Sequence, residues 1–256
     1  MNIFKQFNYT SSRFNLKDGY KNRKSIILLF HAASFKNFLT CLIICLSAFV
    51  AKTQTEAEFR KTLHDRSVKI VNTLGLTDSG KYNNVVDLLT DQYFDLNKIH
   101  DKTKESVAAI KSLQLPIDES DNRIKKEEEK KAVQLSALHK EFISQLQKKL
   151  TEDQIEKIKD GMTYRVMPIT YTAYLDMIPT LTAEQKEKIY SWLKEARELA
   201  MDEGSSEDKH KVFGKYKGKI NNYLSAQGYD MKAEEKGWQE RLKEKKPKET
   251  TQNVAQ

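Results

Sequence analysis

Apolar residues recur three or four positions apart from Thr55 onward, and this spacing is typical of amphipathic helices that bury one face. The first apolar stripe ends at Gly75, which suits a left-handed helix cap, and the second ends before Pro116, which breaks helices. Only nine glycines and four prolines occur in 256 residues, which argues against β-barrel, collagen-like and low-complexity architectures. The sequence therefore predicts an all-α fold, a single-domain bundle of about seven helices.

Two of the predicted helices begin with the same pattern, L-T-x-x-Q, at residues 150–154 and 181–185. In a capping box the Thr hydroxyl accepts a hydrogen bond from a first-turn amide, and the Gln side chain reaches back to the Thr amide. Leu76 and Thr77 repeat the start of this pattern, but Gly80 stands where the Gln would be. Beyond the second stripe, the expected helices are about 124–150, Glu152–Gly161, Ala183–Glu203, Glu207–Ala226 and a last one around Trp238 and Leu242.

The segment Met162–Leu181 interrupts this pattern, because it holds two of the four prolines and three tyrosines. A single helix cannot run through Pro168 and Pro179 undisturbed, although a short helix over Thr170–Met177 is compatible with both. So many aromatic residues and prolines indicate a packed segment, either a core plug or one wall of a pocket. The predicted bundle therefore contains a Pro- and Tyr-rich connector.

The N-terminal region has the layout of a secretory signal. A basic stretch precedes Phe38–Val50, thirteen residues without a charge. As a helix this run would span about 20 Å, too short for a hydrocarbon layer of about 30 Å. The main interpretation is cleavage near Ala51, and a retained membrane anchor is the alternative. We therefore expect a periplasmic protein with a signal peptide at 1–51, a helical domain at 52–244 and a disordered tail at 245–256.

Charge and cysteine content argue against several classes of function. The formal net charge is +8, but the first 51 residues hold seven Lys or Arg and one Asp, so 37 basic and 35 acidic residues remain. A net charge of +2 in an exported domain does not fit a nucleic-acid partner. Both cysteines, Cys41 and Cys45, fall in the apolar run, which leaves the exported part without disulfides or Cys-ligated metals.

No catalytic or cofactor motif is recognisable in the exported part of the sequence. It lacks GxSxG and Gly-rich phosphate loops, and its four histidines stand in none of the HxH, HxxxH or HExxH spacings of metal sites. The sequence therefore predicts neither a metal site nor a cofactor. His100 lies on an apolar stripe, which fits either a buried histidine with one hydrogen bond or a catalytic or ligand-binding residue.

Six further residues suit ligand binding by their chemistry and position. They are Tyr164, Arg165 and Tyr171 in the connector, and Lys215, Lys219 and Asn222 on the helix predicted at Glu207–Ala226. Tyrosine rings suit the apolar faces of sugars, while Asn and Lys side chains suit hydroxyls and carboxylates. Gly214 and Gly218, one turn apart, would let a ligand or another backbone approach closely. The tyrosines of that helix also fit a buried core stripe, so both interpretations remain.

Five motifs in fixed order carry a resemblance to a known family. They are RSVKIVNTLGLTD (66–78), DLNKIHD (95–101), LTEDQIEKIKDGMTY (150–164), LTAEQKEKIYSWLKEAREL (181–199) and GKYKGKINNYLSAQGYD (214–230). The sequence resembles a domain-of-unknown-function family of exported, mostly helical bacterial proteins that are often encoded among polysaccharide-degradation genes. The resemblance implies the handling of a plant or algal polysaccharide rich in uronates, and it implies no catalytic residue. The L-T-x-x-Q helix starts are also similar to those of Spy-type periplasmic chaperones.

Three functional hypotheses follow from the sequence and the resemblance. The first is an accessory factor in polysaccharide utilisation that binds an acidic oligosaccharide or a polysaccharide-degrading enzyme, with membrane contact only through an uncleaved leader. The second is an uncharacterised hydrolase or lyase that uses His100 or a carboxylate with Arg165 or Lys215, so the question of enzymatic activity stays open. The third is a chaperone. An enzyme would bring Tyr164, Arg165, His100 and the 215–222 face to one cleft, whereas a chaperone would show a broad apolar groove.

Overall fold

The computed structural model describes residues 56–245, and this part of the chain is helical without a strand. The predicted signal peptide and the tail beyond residue 245 lie outside the described residues. The helices are α1 (56–71), α2 (Ser79–Ser112), α3 (Ile117–Gln147), α4 (Glu152–Met162), α5 (Val166–Met177), α6 (Ala183–Met201), α7 (Ser206–Ala226) and α8 (Met231–Lys245), with a 3-10 turn at Asn72–Leu74. The described residues from Arg60 onward form one compact unit. The predicted all-α fold class is therefore confirmed, with eight helices in this range rather than about seven.

Local capping sets most of the helix boundaries. Both L-T-x-x-Q patterns form the predicted capping boxes, at Thr151–Gln154 and Thr182–Gln185. Gly75 adopts the left-handed conformation with φ of 66° and ends the first helical segment, as predicted. Helix α2 is capped by Asp78, not by Thr77, because the Asp78 carboxylate accepts a hydrogen bond of 2.6 Å from the Lys81 backbone N–H. Among the described helices, none is both long and apolar enough to cross a membrane.

The Pro- and Tyr-rich connector is more helical than the sequence predicts. Helix α5 begins at Val166, four residues before the expected start at Thr170, and it includes Pro168. Pro168 lies in the first turn, where a backbone N–H has no partner within the helix, so the missing donor costs little there. Pro179 follows the end of the helix, as expected. The connector is a packed helix whose Tyr174 side chain is buried.

The main apolar core lies between α5, α6 and α7. Its fully buried side chains include Ile178, Leu193, Phe213 and Leu224. Helix α6 is central, since it contacts α4, α5 and α7. Burial of one such side chain stabilises the fold by about 1.5–3 kcal/mol.

Helices α2 and α3 form a long hairpin, because only four residues join them and neighbouring helices with short loops run antiparallel. At about 1.5 Å per residue, the 34 residues of α2 span about 51 Å. Buried residues in α2 end at Thr103, and those in α3 begin at Phe142. Between these two positions, the helices of the hairpin bury no residue completely.

Candidate functional site

A buried arginine joins α4 to α6. Arg197 is 1% exposed, and its guanidinium donates to Asp160 Oδ1 at 2.6 Å and to Glu156 Oε2. Burial acts to lower the pKa of Arg197, but the hydrogen bonds to the two carboxylates outweigh this effect and raise it. Burial likewise acts to raise the pKa of Glu156, and the Arg197 guanidinium overcomes it and lowers that pKa. Arg197 and Glu156 are therefore held ionised together.

The ionic contacts continue from α4 through α6 to α3. Lys159 is 8% exposed, and its ammonium donates to both carboxylate oxygens of Glu198, at 3.0 and 3.1 Å. Glu198 Oε2 lies 3.7 Å from His139 Nε2, and His139 Nδ1 lies 3.0 Å from Asp202 Oδ1. Together with Arg197 and its two carboxylates, these residues form what we call the ion network. The helices α3, α4 and α6 are thus connected by charged groups.

Asp202, at the end of α6, connects both histidines of the α2–α3 hairpin to this network. Its carboxylate faces His139, and its backbone carbonyl accepts a hydrogen bond of 2.7 Å from His100 Nε2. The hydrogen bond to Asp202 raises the pKa of His139, although burial acts against it. His100 packs so closely on Gly204 that a Cβ there would lie 2.8 Å from its Cγ atom. His100 is therefore a half-buried residue with a defined hydrogen bond.

A cleft of about 560 Å³ opens above the ion network, between α3, α6 and α7. We call it the α3–α6–α7 cleft, and its size is that of a small-molecule site. Its polar lining is Ser136, His139, Lys140, Glu198, Asp202, Glu203, Lys215 and Tyr216. Leu135, Leu199 and Val212 supply apolar walls. Neither Lys140 nor Lys215 forms an ion pair with a side chain among the described residues.

The seven predicted site residues do not share one cleft. Lys215 lines the α3–α6–α7 cleft, and His100 lines a neighbouring cavity of about 460 Å³ between α2, α3 and the α6–α7 turn. Tyr171 lies edge-on to Tyr190, with ring centroids 5.3 Å apart. Lys219 and Asn222 are exposed further along α7. These residues therefore do not converge on one cleft, as they would in an enzyme built on them. The sequence could not show this, because it does not reveal which helices meet.

Tyr164 and Arg165 form a turn of unusual geometry between α4 and α5. Both have φ of 57°, in the left-handed region that costs a residue with a side chain about 1–2 kcal/mol. The Tyr164 and Arg165 N–H groups donate to the carbonyls of Gly161 and Asp160, at 3.3 and 2.7 Å, and so cap α4. Tyr164 is 42% exposed, and its ring centroid lies 5.8 Å from that of His210.

The residues of the ion network were missed by the sequence patterns. Glu156, Lys159 and Asp160 look like an ordinary charged helix face, and His139 has no motif around it. One signal was available: Arg197 lies on the same stripe as the buried residues Leu193 and Ala200, at helical spacing. A charged residue on an apolar stripe indicates a buried partner on another helix.

Fold and site define an all-α protein with a cleft over a buried ion network. The chain belongs to the family described as "Protein of unknown function (DUF3826)", whose model matches residues 60–244. The resemblance to a domain-of-unknown-function family is therefore confirmed. A search among curated proteins found no match. Among the described residues, no group of three or more His, Cys, Asp or Glu side chains is arranged to hold a metal ion.

The raised pKa of His139 predicts that stability depends on pH. His139 contributes its full stabilisation below its unfolded pKa of about 6.5, and this is lost as pH rises through the higher folded-state pKa. Lys209 has the opposite effect, because burial lowers its pKa to about 8 and stability then rises with pH. The measurement is therefore a difference in the free energy of unfolding between the native protein and His139→Gln, by urea denaturation.

We expect that difference to shrink as pH rises from about 6 to about 9. The exposed His64 provides the control, since His64→Gln should follow the native protein across the same range. A difference between native protein and His139→Gln that is constant with pH would contradict the assignment.

Proposed function

We propose that the protein is an exported accessory factor in the utilisation of an acidic, uronate-rich polysaccharide from plants or algae, and that it binds an oligosaccharide of that polymer in the α3–α6–α7 cleft. The observation that carries this proposal is the pair of lysines, Lys140 and Lys215, without carboxylate partners at the cleft. Export and periplasmic location rest on the N-terminal signal layout. The class of polysaccharide rests on the resemblance described above.

The charge balance of the cleft favours an anionic ligand. Glu198 and Asp202 would repel a carboxylate, but Lys159 neutralises the first and His139 faces the second. One further carboxylate, that of Glu203, lines the cleft without an ion pair among the described residues, so the ammonium groups of Lys140 and Lys215 outnumber the unpaired negative charge and are left for a ligand. A lysine binds a carboxylate as a point charge and also donates hydrogen bonds.

The other groups of the cleft suit a sugar. Tyr216 offers an aromatic ring for the apolar face of a pyranose, and burial together with the Glu195 carboxylate raises its pKa to about 12. Its hydroxyl therefore stays protonated, and with Glu195 as the acceptor of its proton, the Tyr216 oxygen can accept a hydrogen bond from a sugar hydroxyl. Ser136 adds a second hydroxyl within the same cleft. Since the ion network fixes the floor before any ligand arrives, little ordering is needed on binding.

Calorimetric titration tests this proposal. Oligogalacturonates should bind with measurable heat, while neutral galactose oligomers of the same length should not. Lys140→Ala and Lys215→Ala should each weaken binding about tenfold, the loss of one charged hydrogen bond. Lys157→Ala, on the exposed side of α4, is the matched control and should bind as the native protein does. No heat with a broad panel of uronate oligomers would refute a saccharide ligand.

A second candidate, a hydrolase or lyase, is favoured by one observation. His139 and Asp202 form an imidazole–carboxylate pair in a cleft, and such pairs serve as general acids or bases. In this form of the hypothesis, His139 and Asp202 are the reacting groups in place of His100 and Arg165. It predicts that product formation from an oligouronate disappears in His139→Ala while the variant still binds the substrate. Full turnover by His139→Ala would exclude it.

The chaperone hypothesis is a third proposal, which rests on the similarity of helix starts alone. It predicts suppression of aggregation of an unrelated unfolded protein at stoichiometric amounts.

A further inference from the structure

Tyr216 belongs to two neighbouring groups of side chains. It lines the α3–α6–α7 cleft next to Lys215, and its ring centroid lies 5.3 Å from Lys219 Nζ. Lys219 Nζ also lies 4.6 Å from the ring centroid of Trp192 on α6. The cleft therefore adjoins a second surface, formed by Trp192, Tyr216 and Lys219, which we call the aromatic platform.

The Trp192 ring of the aromatic platform is held in place by Tyr223 and the apolar core. Trp192 and Tyr223 meet edge-on, with centroids 5.3 Å apart and planes at 90°, and both pack against the core of α5, α6 and α7. Lys219, by contrast, has a half-exposed side chain whose carboxylate neighbour, Glu195, lies 4.0 Å away. Contacts between an exposed ammonium and a ring are weak, so Lys219 can leave the Trp192 ring for a stronger partner. The rings are thus fixed and the cation is movable.

The platform and the cleft are aligned along α7. Lys215, Lys219 and Asn222 are spaced by four and three residues, which places them on one side of the helix. At about 1.5 Å per residue, the distance from the first to the last is about 10 Å along the axis, more than a single sugar ring covers. A linear ligand held at the cleft by Lys215 would reach the platform with its next unit.

We infer that the aromatic platform is a second sugar subsite, so that the ligand is an oligouronate and not a monosaccharide. This inference rests on the proposed binding of an acidic saccharide in the cleft. The apolar face of the second sugar unit stacks on the Trp192 ring, and its carboxylate forms an ion pair with the Lys219 ammonium. The Asn222 amide faces the hydroxyls of the same unit. No covalent step is involved.

The test is a titration of galacturonic acid and its dimer, trimer and tetramer into the native protein and three variants. Native protein should bind the tetramer about tenfold or more tighter than the monomer, the gain expected from a second charged contact. Lys219→Ala should lose this gain and keep the monomer affinity. Trp192→Phe, which keeps a ring packed against the core, should reduce the gain in part. Lys236→Ala, on exposed α8, is the control and should match the native protein.

The outcomes separate the two proposals. Equal native affinity for monomer and tetramer would overturn the second subsite and leave the cleft proposal standing. The same conclusion would follow if Lys219→Ala weakened monomer and tetramer by one factor, because Lys219 would then act in the first subsite. Absence of binding by every uronate would overturn both.

Discussion

Replacement of Arg197 by methionine should lower the free energy of unfolding by about 3–5 kcal/mol, the usual effect of removing one partner of a buried ion pair. The loss comes from the carboxylates of Glu156 and Asp160, which stay at the interface of α4 and α6 without their guanidinium. Both side chains are only about a quarter exposed, at 26% and 25%, so water compensates their carboxylates poorly. Urea denaturation measures the change.

Arg60 is the matched control for this experiment, because it also pairs with an aspartate, Asp91, at 3.0 Å. Both partners are about half exposed, so Arg60→Met should cost less than about 1 kcal/mol. A variant that combines Arg197→Met with Glu156→Gln and Asp160→Asn should recover part of the lost stability, since no buried charge remains unpaired. Equal losses for Arg197→Met and Arg60→Met would show that the ion network does not stabilise the fold.

Two helical glycines should respond to alanine in opposite directions. A Cβ on Gly161 of α4 would lie 2.7 and 2.9 Å from the Cγ atoms of the buried Ile70, whereas a Cβ on Gly214 of α7 would meet nothing within 4 Å. Gly161→Ala should therefore cost about 1–3 kcal/mol by overpacking. Gly214→Ala should add about 0.5–1 kcal/mol, because alanine loses less backbone freedom in a helix.

The difference in sign makes this pair informative, since each variant serves as the control of the other. Thermal unfolding monitored by circular dichroism would show a lower midpoint for Gly161→Ala and a higher one for Gly214→Ala. If both variants were stabilised, the close contact between α1 and α4 at Ile70 would be wrong.

Features fixed by neighbouring residues could be predicted from the sequence. The capping boxes at Thr151 and Thr182 need only residues three positions away, and the cap at Gly75 needs only its own backbone freedom. The sequence predicts a shorter α5 than the structure has, because a proline breaks a helix in its interior, whereas Pro168 lies in the first turn and leaves the helix intact. The position of the proline within the helix decides whether the helix breaks.

The candidate site was only partly predictable, since its chemistry depends on contacts between helices. Lys215 was identified from its place on α7, and it lies in the cleft. His139 and Asp202 are 63 residues apart, and no local pattern links them. Arg197 offered a clue, because it shares a face with buried apolar residues. Partners of that kind are fixed by tertiary packing.

The two sides of the cleft differ in how many buried residues hold them in place. The α3 residues that line the cleft, from Ala132 to Lys140, precede the first buried residue of α3, Phe142. The opposite side is made by α6 and α7, which share the apolar core. Segments with few buried side chains open locally at a lower free energy than the core does. Local opening on the α3 side should therefore cost less free energy than opening on the α6–α7 side, and occupancy of the cleft should slow amide exchange in α3.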